Sequence, residues 1–83
     1  MVKLVFLGKF RGLAREDCEI PLPAEVRSLS DLLEWVGRRD PLLGGAMAGT
    51  RVQLVVNQAV VRDLARPVGD RDEVAFLPPM SGG

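Results

Sequence analysis

The alternation of apolar and polar positions changes period several times along the chain, and each change marks an element. Val2-Lys3-Leu4-Val5-Phe6-Leu7 is a short run of branched, aromatic and aliphatic residues closed by Gly8, which predicts a strand. Side chains alternate across a strand, so Val2, Leu4 and Phe6 share one face while Lys3, Val5 and Leu7 share the other. A loop is expected from about Gly8 to Asp17. Cys18-Glu19-Ile20-Pro21-Leu22 alternates again, and because Pro21 cannot donate to a ladder this second strand belongs at a sheet edge. It is expected to pair antiparallel with the first. At Leu29 the period becomes helical: Leu29, Leu32, Leu33 and Val36 fall at i, i+3, i+4 and i+7. Ser28 is placed to cap this helix, with Asp31 at its third position. Arg38 and Arg39 complement the dipole at the far end, and Asp40-Pro41 is expected to stop it.

Pro41 to Thr50, with Gly44, Gly45 and Gly49, reads as a connector holding at most one helical turn. No lysine or hydroxyl residue follows its glycine pair at the spacing of a phosphate-cradling loop. Arg51 to Val56 forms a third strand, ended by a turn at Asn57-Gln58, and Ala59-Val60-Val61 returns as a fourth. After a stretch from Asp63 to Asp72 punctuated by proline and glycine, Glu73-Val74-Ala75-Phe76-Leu77 makes the last strand, which Pro78-Pro79 ends. Two strands, a helix and three strands predict an α+β domain, a mixed sheet of about five strands with one main helix on one face. If Val2, Leu4, Phe6, Ile20, Leu22, Val52, Leu54, Val56, Val74 and Phe76 face that helix, then Val5, Leu7, Val55, Ala75 and Leu77 face outward. A contiguous apolar patch of this kind marks a partner surface, unless loops cover it or the two faces are exchanged.

Composition narrows the chemistry. An 83-residue chain builds one domain, and 11 Lys and Arg against 11 Asp and Glu do not make an electrostatic nucleic-acid binder by composition, although a basic face could still hide within the neutral total. Histidine and tyrosine are absent and cysteine occurs once, so most general bases, nucleophile pairs and metal clusters cannot be assembled, and no metal is expected. Cys18, beside Glu16, Asp17 and Glu19, is expected to be a structural thiol rather than a reactive thiolate. Trp35 is assigned to helix packing, and Arg38-Arg39 to a solvated helix end. No disulfide can form within the chain, no apolar run is long enough for a membrane-spanning helix, and nothing near Met1 resembles a signal peptide. A cytoplasmic protein without membrane contact is therefore expected.

The reactive group left is at the tail, Pro78-Pro79-Met80-Ser81-Gly82-Gly83. Two prolines stiffen its exit, and two glycines finish it with backbone that could pass through a narrow channel. By itself a terminal glycine pair fits a frayed end better. However, the whole run Asp72-Glu73-Val74-Ala75-Phe76-Leu77-Pro78-Pro79-Met80-Ser81-Gly82-Gly83 resembles the C-terminal signature of the sulfur-carrying small subunits of molybdopterin synthase. Supporting similarity lies in Phe10-Arg11 after the first strand, in Ser28-Leu29-Ser30-Asp31-Leu32-Leu33 and in Val56-Asn57-Gln58. One departure is Arg71, where that signature carries glycine; Gly69 is the candidate to supply the turn instead.

The resemblance implies a ubiquitin-like β-grasp domain over 1–77 and a functional tail over 78–83. It also implies that an ATP-dependent, E1-like adenylyltransferase activates the carboxylate of Gly83, and that a sulfur donor then converts it to a thiocarboxylate. The tail would enter a pocket of the large synthase subunit and give its sulfur to a cyclic pterin precursor, building the dithiolene of molybdopterin. By the same resemblance Gly83 carries the sulfur, Gly82 keeps the approach free of side chains, Met80 and Ser81 line the channel, and Pro78 and Pro79 hold the tail extended. Phe76 or Leu77 anchors its base, and Ala75, Val55, Val5 and Leu7 meet the partner. Two small and two large subunits would assemble, the catalytic side chains lying on the large one, and no cofactor would be bound by this chain. Other sulfur carriers of the same fold, serving thiazole, tungsten-cofactor or thionucleoside synthesis, remain open as readings. So does a ubiquitin-like modifier or binding module.

Overall fold

The first and last strands, β1 (Val2–Phe6) and β5 (Glu73–Leu77), lie side by side and parallel in the computed structural model, which describes residues 1–14 and 18–79. Their register pairs Lys3 with Glu73, Val5 with Ala75 and Phe6 with Phe76. β2 (Cys18–Ile20) pairs antiparallel with the outer side of β1 and stands at the sheet edge, as expected, but it is shorter than the expected Cys18–Leu22 and ends before Pro21. On the other side of β5, β3 (Gln53–Val56) pairs antiparallel with it and β4 (Ala59–Val61) closes the sheet, giving the order β2-β1-β5-β3-β4. The β3–β4 hairpin turns on Asn57 at φ 51° and Gln58 at φ 70°. Two left-handed residues in succession match the right-handed twist of the flanking strands.

Among the described residues three helices are present rather than one. The longest, α2 (Leu29–Arg39), begins in a capping box: the Asp31 N–H donates to the Ser28 hydroxyl at 3.2 Å and the Ser28 N–H donates to the Asp31 carboxylate at 3.3 Å. Leu29, Leu32 and Val36 are buried beneath it. The expected loop after Gly8 contains a short helix, α1 (Lys9–Ala14), whose Phe10 is fully buried. The expected connector at Pro41–Thr50 is largely a helix, α3 (Pro41–Ala48). Asp40 ends α2 and starts α3 at once. Its N–H donates to the Val36 carbonyl at 3.0 Å while its carboxylate accepts from the Leu43 N–H at 3.3 Å, and Pro41 takes the first helical position, where no N–H is missed.

Gly44 and Gly45 are therefore helical residues. Gly44 lies so close to Gly37 of α2 that a β-carbon on it would stand 2.5 Å from the Gly37 carbonyl oxygen and 2.8 Å from its α-carbon. The core forms between these helices and one face of the sheet, from Val2, Leu4, Phe6, Phe10, Leu29, Leu32, Val36, Leu43, Leu54, Val56, Val74 and Phe76. Ile20, Leu22, Val52 and Trp35 pack against it partly buried. Phe6 and Phe76 stack with ring centroids 4.9 Å apart, which contributes about 0.5–1.5 kcal/mol beyond area burial. The Asp63–Asp72 stretch is tied to the start of α2: Leu29 and Ser30 donate to the carbonyls of Arg66 and Leu64, and Val68 donates to that of Arg27.

Candidate functional site

Because β1 and β5 are parallel, both finish at the same end of the sheet, and the tail leaves there beside the turn that follows β1. The Leu7 N–H donates to the Phe76 carbonyl at 3.0 Å, extending the ladder one step toward that end. Gly8 then turns the chain away at φ 60°. A β-carbon on Gly8 would lie 2.9 Å from Cγ and 3.0 Å from Cδ of Pro78, so the bare glycine provides the seat on which the first tail proline rests. Pro78 is half-buried and Pro79 is exposed. Met80, Ser81, Gly82 and Gly83 lie outside the described residues. Gly8 reads in the sequence only as the end of the first strand; its role as a seat for Pro78 spans 70 positions, and no local pattern reports such a distance.

The outward face of the sheet carries a row that crosses four strands. Val5, Ala75, Val55 and Val60 stand in register on β1, β5, β3 and β4. Val5 and Val55 are half-buried, Ala75 is shaded between them at 7% exposure, and Val60 is 54% exposed. Leu7 and Leu77, both half-buried, lie beyond this row toward the tail. Phe76 does not belong to this surface: it is fully buried on the helix side, stacked on Phe6, so of the two candidates for the base of the tail the outward one is Leu77. Val60 was not expected on the row, although the alternation along β4 and its pairing opposite Val55 place it there.

The opposite end of the sheet is polar and paired. The Met1 ammonium meets Asp70 at 3.3 Å, Lys3 meets Glu73 at 3.9 Å and Arg66 meets Asp72 at 3.6 Å. Asp72 also accepts from the Gly69 N–H at 2.8 Å and from the Asn57 amide at 2.9 Å, while Asn57 accepts from the Glu73 N–H at 3.0 Å. The hydrogen bond from Gly69, then that from Asn57, hold the Asp72 carboxyl below its ordinary value, with Arg66 adding to them against a smaller opposing effect of burial. This latch fixes where β5 begins and hence where it delivers its last residue. It also absorbs the departure at Arg71. Positive φ falls on Gly8, Asn57 and Gln58 among the described residues, so the turn closed by the Asp72 N–H on the Gly69 carbonyl at 3.1 Å needs no glycine at position 71.

Among the described residues no group of three His, Cys, Asp or Glu side chains could hold a metal ion, and no helix is long and apolar enough to cross a membrane. Cys18 is half-buried on edge strand β2, and the Arg39 guanidinium lies 5.2 Å from the ring centroid of Trp35, a packing contact at the end of α2. The architecture thus offers two adjoining features: a tail held at its root by a glycine seat, and an apolar sheet face beside that root.

The sequence model of the ThiS family matches residues 4–83. The molybdopterin synthase sulfur carrier subunit of Mycobacterium tuberculosis is 34% identical to the chain over 86 residues, covering 99% of this chain and 96% of that protein. The protein of the same description from Escherichia coli is 29% identical over 83 residues, covering 100% of both. Among solved structures, a putative molybdopterin converting factor, subunit 1, from Pyrococcus furiosus superposes with a TM-score of 0.76 at 28% identity, over 95% of this chain and 97% of that one. The ubiquitin-like β-grasp fold is thereby shared along the described chain.

Proposed function

The chain belongs to the ThiS family, and we propose that it is the sulfur-carrier subunit of a molybdopterin synthase, as its two curated relatives are described. The α-carboxylate of Gly83 is the working group. A carboxylate resists nucleophiles, whereas its mixed anhydride with AMP carries a good leaving group; an E1-like adenylyltransferase spends ATP to form that anhydride, and a sulfur donor displaces AMP to leave a thiocarboxylate. The tail then enters the large subunit and the sulfur passes to a cyclic pterin precursor. Catalytic side chains belong to the large subunit, so this chain takes part in a sulfurtransferase as the carrier of the reacting atom.

The observation that carries this reading is the exit from β5. Pro78 is seated on Gly8, and the chain that follows is Pro79-Met80-Ser81-Gly82-Gly83, ending in the two residues least able to obstruct a channel. Two relatives aligned along nearly their whole lengths carry the description of sulfur carrier subunit, which supports the molybdopterin branch over other carriers of this fold. The apolar row at Val5, Ala75, Val55 and Val60, with Leu7 and Leu77, is the surface offered to the large subunit. Gly82→Ala and deletion of Gly83 should both leave the melting temperature unchanged and abolish sulfur transfer to the pterin. Transfer at the wild-type rate by either variant would contradict the assignment.

A further inference from the structure

At the β4 edge of the sheet a groove of about 500 Å³ runs between β4, the entry to β3 and Pro79. Its apolar wall comes from Val52, Val60, Val61 and Leu64, and two arginines, Arg51 and Arg62, also line it. Three observations set this groove apart. Val60 and Leu64 are two of only four large apolar side chains left exposed among the described residues. All three ion pairs formed among those residues lie at the opposite end of the sheet, and none involves Arg51 or Arg62. The neighbouring carboxylate, Asp63, instead accepts from the Ala65 N–H at 3.0 Å within its own turn.

The backbone of β4 adds a direction to this chemistry. Val56 and Ala59 flank a two-residue turn and form a hydrogen-bonded pair, so Val60, one step on, points its N–H and C=O outward from the free edge. An open strand edge of this kind accepts an extended segment from another chain. Arginine beside an apolar wall favours a carboxylate held bidentately, with the alternate side chains of the same segment against the valines and leucine.

We propose that this groove receives an extended, carboxylate-bearing segment of the large subunit, which pairs along β4 while the tail enters that subunit's pocket. Pro79 lines the groove, so the docked segment would lie beside the tail root and clamp it from the side opposite Gly8. The inference rests on the proposed sulfur-carrier function, since it takes the large subunit as the partner.

The test is a titration of the purified large subunit with the wild-type chain, Arg51→Gln/Arg62→Gln and Arg51→Glu/Arg62→Glu, each at low and high ionic strength and each checked for an unchanged melt. Binding of the wild type should weaken as salt rises. The glutamine pair should lose about tenfold in affinity at low salt, the glutamate pair more, and both should show a flattened salt dependence. Wild-type affinity and salt dependence in the charge-reversed chain would overturn the groove assignment while leaving the carrier function intact. A wild-type chain that binds no large subunit at all would overturn both.

Discussion

Two neighbouring glycines of α3 should respond to the same substitution with opposite signs. Gly45 has nothing within 4 Å of where a β-carbon would sit, so Gly45→Ala gains the helix preference of alanine over glycine, about 1 kcal/mol, at no steric cost. Gly44→Ala gains the same amount but drives its methyl to within 2.5 Å of the Gly37 oxygen and 3.0 Å of the Gly37 carbonyl carbon. These are backbone atoms of a helix and cannot rotate aside, so α2 and α3 must separate, which places the cost near the upper end of the roughly 1–3 kcal/mol seen for overpacking. The net expectation is a loss of about 2 kcal/mol. For a domain of this size that lowers the melting temperature by roughly 10 °C, whereas Gly45→Ala raises it by several degrees. Thermal melts and urea titrations followed by circular dichroism read both variants directly. A Gly44→Ala protein as stable as Gly45→Ala would refute the close approach of the two helices.

Other perturbations probe the site and its supports. Gly8→Ala combines a left-handed φ with a collision against Pro78, so it should cost about 1–2 kcal/mol and also slow sulfur transfer; a melt and a transfer assay on the same sample check both effects. Gln58→Gly should stabilise the hairpin by about 0.5–1 kcal/mol, because glycine adopts φ 70° without strain, and urea unfolding measures it. Asp72 has a folded pKa below its ordinary value of 3.8, so the unfolded chain binds its proton first as pH falls. Its contribution to stability is complete above that ordinary value and is lost as pH falls toward the lower folded value, so wild-type melts should drop more steeply in that window than those of Asp72→Asn. Val55→Asp places a charge in the middle of the outward row, between Ala75 and Val60, and should abolish co-purification with the large subunit while the chain still folds; undiminished capture would count against that surface.

How far each feature could be read from the sequence depended on the range of the interactions that create it. The capping box of α2 joins residues three apart and was legible in full, as were the strand faces, because alternation is a property of adjacent residues. The edge position of β2 was expected from Pro21, although the strand ends one residue before that proline. The misreadings have physical causes too. Asp40-Pro41 reads as a stop signal, and it is one, yet the same two residues cap and open α3, a double duty that punctuation cannot express. Gly44 and Gly45 argued against a helix by their low propensity, while the reason a glycine sits at 44 is a contact with α2. In α1 the buried Phe10 and partly buried Leu13 have helical spacing, but the segment is only six residues long. At the site, the tail motif was legible because it is contiguous. Alternation already placed Phe76 on the helix side, where it is buried, so the resemblance's choice between Phe76 and Leu77 resolves to Leu77; the Gly8 seat and the arrival of Val60 on the apolar row required the parallel pairing of β1 with β5 and the hairpin register to be known.

The central claim is that the reactive group of this protein is the carboxylate of Gly83, charged with sulfur. Intact-mass and C-terminal peptide spectrometry on chain produced together with its activating enzyme and a sulfur source tests it most directly. The account predicts exchange of one carboxylate oxygen for sulfur at Gly83, and loss of that sulfur when the large subunit and pterin precursor are added. A Gly83 carboxylate that stays unaltered under these conditions, or that appears joined to a lysine instead, would contradict it.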